Sequence, residues 1–195
     1  FNLSTLPASD FPIIEDIKTK QTLSVDQSLL KNLIEKTHFS MAQQDVRYYL
    51  NGMLLETSSN NLRAVATDGH RLAMSQAKTS DNSIEKQQVI IPRKGVLELQ
   101  RLMSESGVVD LEIGANHIRV QLENIRFTSK LIDGKFPEYN RVIPSESTNK
   151  LKANKKEFKG ALQRTAILSN EKYRGIRLII KDSGVFLQAH NSEQE

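Results

Sequence analysis

Leu23-Ser24-Val25-Asp26, followed by Leu29-Leu30, Leu33-Ile34 and Thr37, returns later in the chain as Leu151-Lys152-Ala153-Asn154, followed by Phe158, Ala161-Leu162 and Thr165. In each copy a short stretch ends in Asp or Asn, whose side chain can accept a hydrogen bond from a free amide of a helix's first turn. Apolar positions then recur about every four residues, which marks a helix with one buried face. The match extends in both directions. Phe11-Pro12 and Phe136-Pro137 stand ahead of the two copies. Tyr49-Leu50-Asn51-Gly52 before Met53-Leu54-Leu55 parallels Tyr173-Arg174-Gly175 before Ile176-Arg177-Leu178. Leu62-Arg63-Ala64-Val65-Ala66-Thr67-Asp68 parallels Val185-Phe186-Leu187-Gln188-Ala189-His190-Asn191. A period of about 125 residues is the size of an ordinary domain, so it argues for duplicated domains and against a short-repeat solenoid.

The chain therefore reads as three pieces. Residues 1–14 read as the last strand and exit loop of a domain whose body lies outside the sequence. Residues 20–143 read as one complete domain. Residues 150–195 read as the N-terminal part of the next, after a polar, turn-rich linker at 144–149. Phe1 opens inside an alternating stretch without an initiator Met, which reads as a cut N-terminus.

Inside 20–143 a helix is expected from Asp26 to about Phe39, with Asp26 as its N-cap. Strands are expected at 48–57 and 61–75, joined at Ser58-Ser59-Asn60-Asn61, and at Val89-Ile90-Ile91. Pro92 suits the first turn of a second helix, with Val96, Leu99, Leu102 and Met103 inward. Residues 109–113, 117–122 and 125–131 alternate as a meander with turns at Gly114-Ala115-Asn116 and Glu123-Asn124. Two helices packed on antiparallel β-sheet make each copy an α+β domain.

Composition narrows the function. Of 195 residues, 38% are apolar and 26% charged, as in soluble globular proteins. No apolar run is long enough to span a bilayer, and the first residues lack the pattern of a signal peptide. There are no cysteines, which excludes disulfides, thiol catalysis and Cys-ligated zinc, and fits a cytoplasmic protein. A net charge of +4 with a pI near 9.2 leans towards a polyanionic partner.

Thr67-Asp68-Gly69-His70-Arg71-Leu72-Ala73 is the sharpest motif. Asp-Gly reads first as a tight turn or bulge. The alternative is a site at a kinked strand, with His70 and Arg71 as polar rims around Leu72. Histidines at 38, 70, 117 and 190 are too scattered for a metal site. Gln43-Gln44-Asp45-Val46-Arg47-Tyr48-Tyr49 is a loop entering a strand. It reads either as ordinary packing or as a nucleic-acid contact in which Tyr stacks and Arg and Gln reach phosphates. The helices share a cationic bias: Lys31 and Lys36 on the first, Arg93, Lys94 and Arg101 on the second, and Lys152, Lys155, Lys156, Lys159 and Arg164 at the third. One such face is usually just solvated, but three duplicated ones around an axis would line a passage for a duplex without reading sequence. No catalytic or phosphate-loop motif occurs.

Phe39-Ser40-Met41-Ala42, Asp45-Val46-Arg47-Tyr48-Tyr49-Leu50-Asn51-Gly52, Ala66-Thr67-Asp68-Gly69-His70-Arg71-Leu72-Ala73, Pro92-Arg93-Lys94-Gly95, Phe136-Pro137-Glu138-Tyr139, Arg141-Val142-Ile143-Pro144 and Ile167-Leu168-Ser169-Asn170-Glu171-Lys172-Tyr173-Arg174-Gly175 closely resemble the beta subunit of bacterial DNA polymerase III, the DNA sliding clamp family. The resemblance runs from Phe1 to Glu195. It implies three duplicated domains per protomer and a head-to-tail homodimer ring around double-stranded DNA, bound topologically and without sequence preference. It implies a processivity factor with no catalytic residues, no metal and no cofactor. Its partners would be polymerase III subunits, the clamp loader and other polymerases or repair factors, each binding through a short linear peptide. Carried over by position, the peptide pocket would use Leu50, Thr67, Gly69, His70, Arg71, Leu72, Pro137, Arg141 and Val142. Its remaining wall lies in a later part of the third domain. The DNA-contacting residues would be Gln44, Arg47, Tyr48 and Tyr49, joined by Arg93 and Lys94. Phe1, Leu3, Ile167 and Leu168 would form the apolar dimer contact, although Ile167-Leu168 reads equally as core packing at a helix end.

Two other functions fit the residues less well. A nucleic-acid-binding domain without ring closure would hold linear DNA despite free ends. A hydrolase using Asp68 and His70 would show pH- or metal-dependent turnover. Neither needs the duplicated-domain period.

Overall fold

The computed structural model describes residues 2–11, 18–79, 84–145, 148–170 and 175–190. They divide into two units, Phe1–Glu138 and Tyr139–Glu195. The division falls before the segment 144–149 that the sequence suggested as linker. Among the described residues no helix is long and apolar enough to cross a membrane.

In the first unit two four-stranded antiparallel sheets carry two helices. One sheet has the order β1-β6-β7-β8, from Thr19–Asp26, Val108–Gly114, His117–Leu122 and Ile125–Lys130. The other has the order β4-β3-β2-β5, from Leu72–Lys78, Asn61–Thr67, Gly52–Ser59 and Ile84–Pro92. Helix α1 (Gln27–Glu35) packs on β1, β3 and β4, and α2 (Arg93–Leu102) on β2 and β5. Leu30, Leu33, Ile34, Val96 and Leu99 close the core with Met53, Leu55, Ala64 and Ile91 from one sheet and Leu111, Ile113, Ile118 and Val120 from the other.

Several boundaries differ from the sequence reading, each through a tertiary contact. β1 was not foreseen as a strand; it forms because β6 pairs with it, Leu23 against Leu111 and Val25 against Val109. Helix α1 stops at Glu35 rather than Phe39. Beyond it the buried Thr37 turns its hydroxyl back to donate to the Leu33 carbonyl at 2.7 Å, and His38–Ser40 is a separate 3-10 turn. Asp26 holds the N-cap position but makes no side-chain capping bond, and the Gln27 amide after it donates to the Gly107 carbonyl at 2.9 Å. Residues 48–51, expected as strand, form a 3-10 turn. The expected strand 61–75 breaks at 68–71 into β3 and β4, and β5 runs well ahead of Val89.

The second unit repeats the opening pattern. Helix α3 (Lys155–Ala166) is capped by Asn154, whose side chain accepts from the amides of Lys156 and Glu157. β9 (Ile176–Lys181) and β10 (Gly184–Ala189) then pair as a hairpin, with Leu178 opposite Leu187. Among the described residues the second unit holds one α-helix, the 3-10 turn Tyr139–Arg141 and one two-stranded sheet. Pro12, Ile13 and Ile14 of the first piece, Glu146 and Ser147 of the proposed linker, and Tyr173, Arg174 and Asn191 of the repeat lie outside the described residues. Residues 2–7, expected as part of a last strand, pair with no strand among the described residues.

Gly52 begins β2 where a side chain has no room. An added Cβ would stand 2.6 Å from the Ile91 carbonyl oxygen and 2.8 Å from both Ile132 and Ile90 side chains. Overpacking against backbone cannot relax cheaply, so Gly52→Ala is expected to cost about 1–3 kcal/mol in urea unfolding. Gly175→Ala, with nothing within 4 Å of the new methyl, should stay within about 0.5 kcal/mol.

Candidate functional site

The turn between β3 and β4 is built by its own side chains. Asp68 accepts from the amides of His70 and Arg71 through one carboxylate oxygen, each at 3.0 Å, and from Arg71 Nε through the other at 3.1 Å. Thr67, 8% exposed, donates its hydroxyl to the Arg71 carbonyl and accepts from the Gly69 amide. Gly69 sits at φ +88, a conformation that a side chain disfavours. Asp-Gly therefore makes the tight turn that its chemistry suggests, with His70 and Arg71 exposed on it. Arg71 reaches on to the Phe39 carbonyl at 2.7 Å, with its guanidinium carbon 5.8 Å from the Phe39 ring centroid. Partial burial is the largest single effect on Asp68 and works against its charge. The donors from Arg71 and His70 together outweigh it and hold the carboxyl below its usual range.

The loop before β2 meets this turn. The β2–β3 ladder, Leu54 against Val65, sets the start of β2 beside the end of β3. Asn51 pins the loop by accepting from the Asp45 amide and donating to the Asp45 carbonyl. Arg47 donates to the Asp45 carboxylate from Nε at 3.0 Å and Nη2 at 2.8 Å, and its amide donates to the same carboxylate. The Arg47 hydrogen bonds, side chain first and then backbone, hold the Asp45 carboxyl down to about 2. Leu50 is buried at 2% exposure, Leu72 is half-buried, and Pro137 and His70 are exposed. Arg141 and Val142 fall in the second unit, where the Val142 amide donates to the Tyr139 carbonyl and Val142 is 68% exposed.

The residues suggested for DNA contact separate into two groups. Gln44, at φ +56, lines a groove of about 550 Å³ with Arg93, Lys94, Gln43, Asn51 and Leu97. Arg93 Nη1 is buried there without a hydrogen-bond partner among the described residues, while Lys94 is exposed. Arg47 is engaged with Asp45, and Tyr48 and Tyr49 meet edge to face at 6.0 Å. Some helix cations are already paired, Lys31 with Glu105 and Arg101 with Glu98. Of the dimer residues, Phe1 lies outside the described residues. Leu3 (85%), Ile167 (79%) and Leu168 (66%) are exposed. Sequence reasoning did not single out Asp45, Asn51 and the Phe39 carbonyl. Only the Asp-x-Arg spacing at 45–47 hinted at the first.

A family model of the DNA polymerase III beta subunit's central domain matches residues 24–138, and the model of its C-terminal domain matches 140–195. The chain belongs to the DNA polymerase III beta-subunit family. It is 53% identical to the beta sliding clamp of Pseudomonas putida and 48% identical to that of Escherichia coli K12, in each case over the whole chain and 53% of the relative. The chain thus spans about half the length of the curated relatives it matches. The DNA polymerase III subunit beta of Pseudomonas aeruginosa superposes with a TM-score of 0.92 at 52% identity, covering 100% of this chain and 54% of that one. A P. aeruginosa sliding clamp solved with bound griselimycin gives 0.90 at 51%, covering 100% and 53%. The α+β clamp fold of the beta-subunit family is therefore the fold of this chain.

A carboxyl depressed in the folded loop adds stability above its unfolded value near 3.8, and that contribution is lost as pH falls through about 2. At pH 3 the Asp45 carboxyl should be about nine-tenths ionised, where an ordinary Asp would be about one-seventh ionised. Its carboxyl carbon shift, followed by NMR from pH 7 to pH 3, should barely move.

Proposed function

We propose that this chain works as part of a non-enzymatic DNA sliding clamp. It would encircle duplex DNA and tether the replicative polymerase and other partners through a peptide-binding pocket. The observation that carries this reading is the tandem match of central and C-terminal clamp domains along one chain. A closed ring holds DNA topologically, so weak phosphate contacts allow sliding and the tether raises the polymerase's local concentration. In this reading two protomers close head to tail, with Phe1 and Leu3 of one facing Ile167 and Leu168 of the other. The reading assigns no catalytic residue and no cofactor, and it places the protein in the cytoplasm.

The pocket proposed is the rim at Thr67, Gly69, His70, Arg71 and Leu72 with Leu50 and Pro137; the family resemblance adds Arg141 and Val142 to its residues. An apolar floor with a few fixed polar groups suits a short linear peptide. Polymerase III subunits, the clamp loader and repair factors would present such peptides. Griselimycin, bound by the P. aeruginosa relative, is a convenient probe. Labelled griselimycin should bind this chain saturably in fluorescence anisotropy, and Leu72→Ala and Arg141→Ala should each weaken it about tenfold. Equal affinity in the wild type and both variants would overturn the pocket assignment.

The groove holding Gln44, Arg93 and Lys94 is proposed as the phosphate contact, with Tyr48 and Tyr49 as a separate contact on the same loop. Plotted as log affinity for a duplex against log salt, the Arg93→Ala/Lys94→Ala double variant should lose a slope of roughly 2, about one for each cation. An unchanged slope would remove both residues from the DNA contact.

A further inference from the structure

Arg47 lies between the loop proposed for DNA and the turn proposed for peptide, and its geometry favours the turn. A Cβ built on Gly69 would stand 3.1 Å and 3.2 Å from the two terminal nitrogens of Arg47 and 3.6 Å from its guanidinium carbon. The two terminal nitrogens are the nearest atoms and the guanidinium carbon lies behind them, so the guanidinium points its outer edge, between Nη1 and Nη2, at Gly69. With its positive φ, Gly69 leaves that space free of a side chain. On its other edge the same guanidinium is held by Asp45 through Nε and Nη2, and Asp45 is held in turn by Asn51. Beyond Gly69, Asp68 fixes His70 and Arg71, and Arg71 reaches the Phe39 carbonyl. A series of neighbours therefore runs from Asn51 through Asp45, Arg47, Gly69, Asp68 and Arg71 to Phe39. It joins the loop that carries Gln44 and Tyr48 to the turn that carries Thr67 and Leu72.

We propose that Arg47 is a positioning residue of the peptide pocket: clamped by Asp45, its guanidinium abuts Gly69 with its outer edge and seats the 68–71 turn, so that loop and turn keep one shape together. This inference rests on the pocket reading above for its functional meaning, but its structural content stands apart from it. A two-pronged carboxylate contact fixes a guanidinium in orientation as well as position. With Nε and Nη2 on Asp45, Arg47 directs its remaining edge, Nη1 and Nη2, at the turn. A phosphate oxygen taking those two donors would have to displace Asp45, and the guanidinium would leave Gly69. Arg47 thus differs from Arg93 and Lys94, which meet no carboxylate in the contacts described.

The test compares the wild-type chain with Arg47→Ala, Arg47→Lys and Asp45→Asn. Hydrogen exchange at the amides of Gly69, His70 and Arg71 is read by NMR, with griselimycin and duplex titrations alongside. The urea midpoint confirms that each variant is folded. The expected result is exchange about tenfold faster at those three amides in Arg47→Ala and in Asp45→Asn, with griselimycin binding at least threefold weaker. Arg47→Lys should not restore protection, because an ammonium keeps the charge but has no two edges to hold Asp45 and meet Gly69 together. Exchange at 69–71 that is unchanged in Arg47→Ala overturns the proposal. So does an Asp45→Asn variant that only binds duplex more tightly, which would make Arg47 a phosphate ligand. If the wild type ignores griselimycin while exchange still responds to Arg47, the pocket reading fails and the positioning role stands.

Discussion

The first unit depends on an approach that only glycine permits. At Gly52 the Ile91 carbonyl and the side chains of Ile90 and Ile132 close on the backbone where β2 begins. That contact fixes how β2 lies on β5, with Gly52 against Pro92 and Leu54 against Ile90. It also holds the strap after β8, whose Ile132 amide donates to the Ile90 carbonyl. Once β2 starts there, the chain before it must fold back, and Ala42 closes that fold through its amide to the Leu50 carbonyl. The loop that carries Gln44, Arg47 and Tyr48 owes its place to this constraint.

The sheet β4-β3-β2-β5 is buried on both faces near that end. Met53, Leu55, Ala64 and Ile91 face the helices, yet Leu54, Val65 and Ile90 on the opposite face are 3% exposed or less. Two residues along, the outer row turns polar. Arg63 donates to Gln76 and to Glu56, and Gln88 donates to Glu56, a ladder across all four strands. The outer face therefore changes from apolar to polar along the strands, and the 67–72 turn stands at its apolar end. A partner offering apolar side chains and a few polar groups finds both there.

Electrostatics divides the cations by task. Arg47 and Arg71 are held by Asp45 and Asp68 and shape the loop before β2 and the turn after β3. Arg93 and Lys94 share a groove with Gln44. Exposed lysines on α3 carry little local acid beyond Glu157. Such solvated charges attract a polyanion weakly and reversibly.

Much of this was legible in the residues. The helices at 27–35, 93–102 and 155–166, the Asn154 cap, the meander after Gly107 and the Asp-Gly turn depend on contacts within a few residues, and periodicity and side-chain chemistry encode those directly. The duplicated pattern and the family motifs marked Thr67 to Leu72 and Gln44 to Tyr49 as the segments to examine. The sequence could not show β1 as a strand, because Leu23 and Val25 needed β6, more than eighty residues away, to pair with. It did not end α1 at Glu35 or fold 48–51 into a turn, since Thr37 and Ala42 act there through backbone carbonyls that leave no pattern. Nor could it say that Arg47 points at Gly69 while Arg93 lines a groove. Asp45 stands two residues before Arg47, but bringing that pair against the turn after β3, far along the chain, was decided by the tertiary structure, because such an approach depends on where the backbone has already gone.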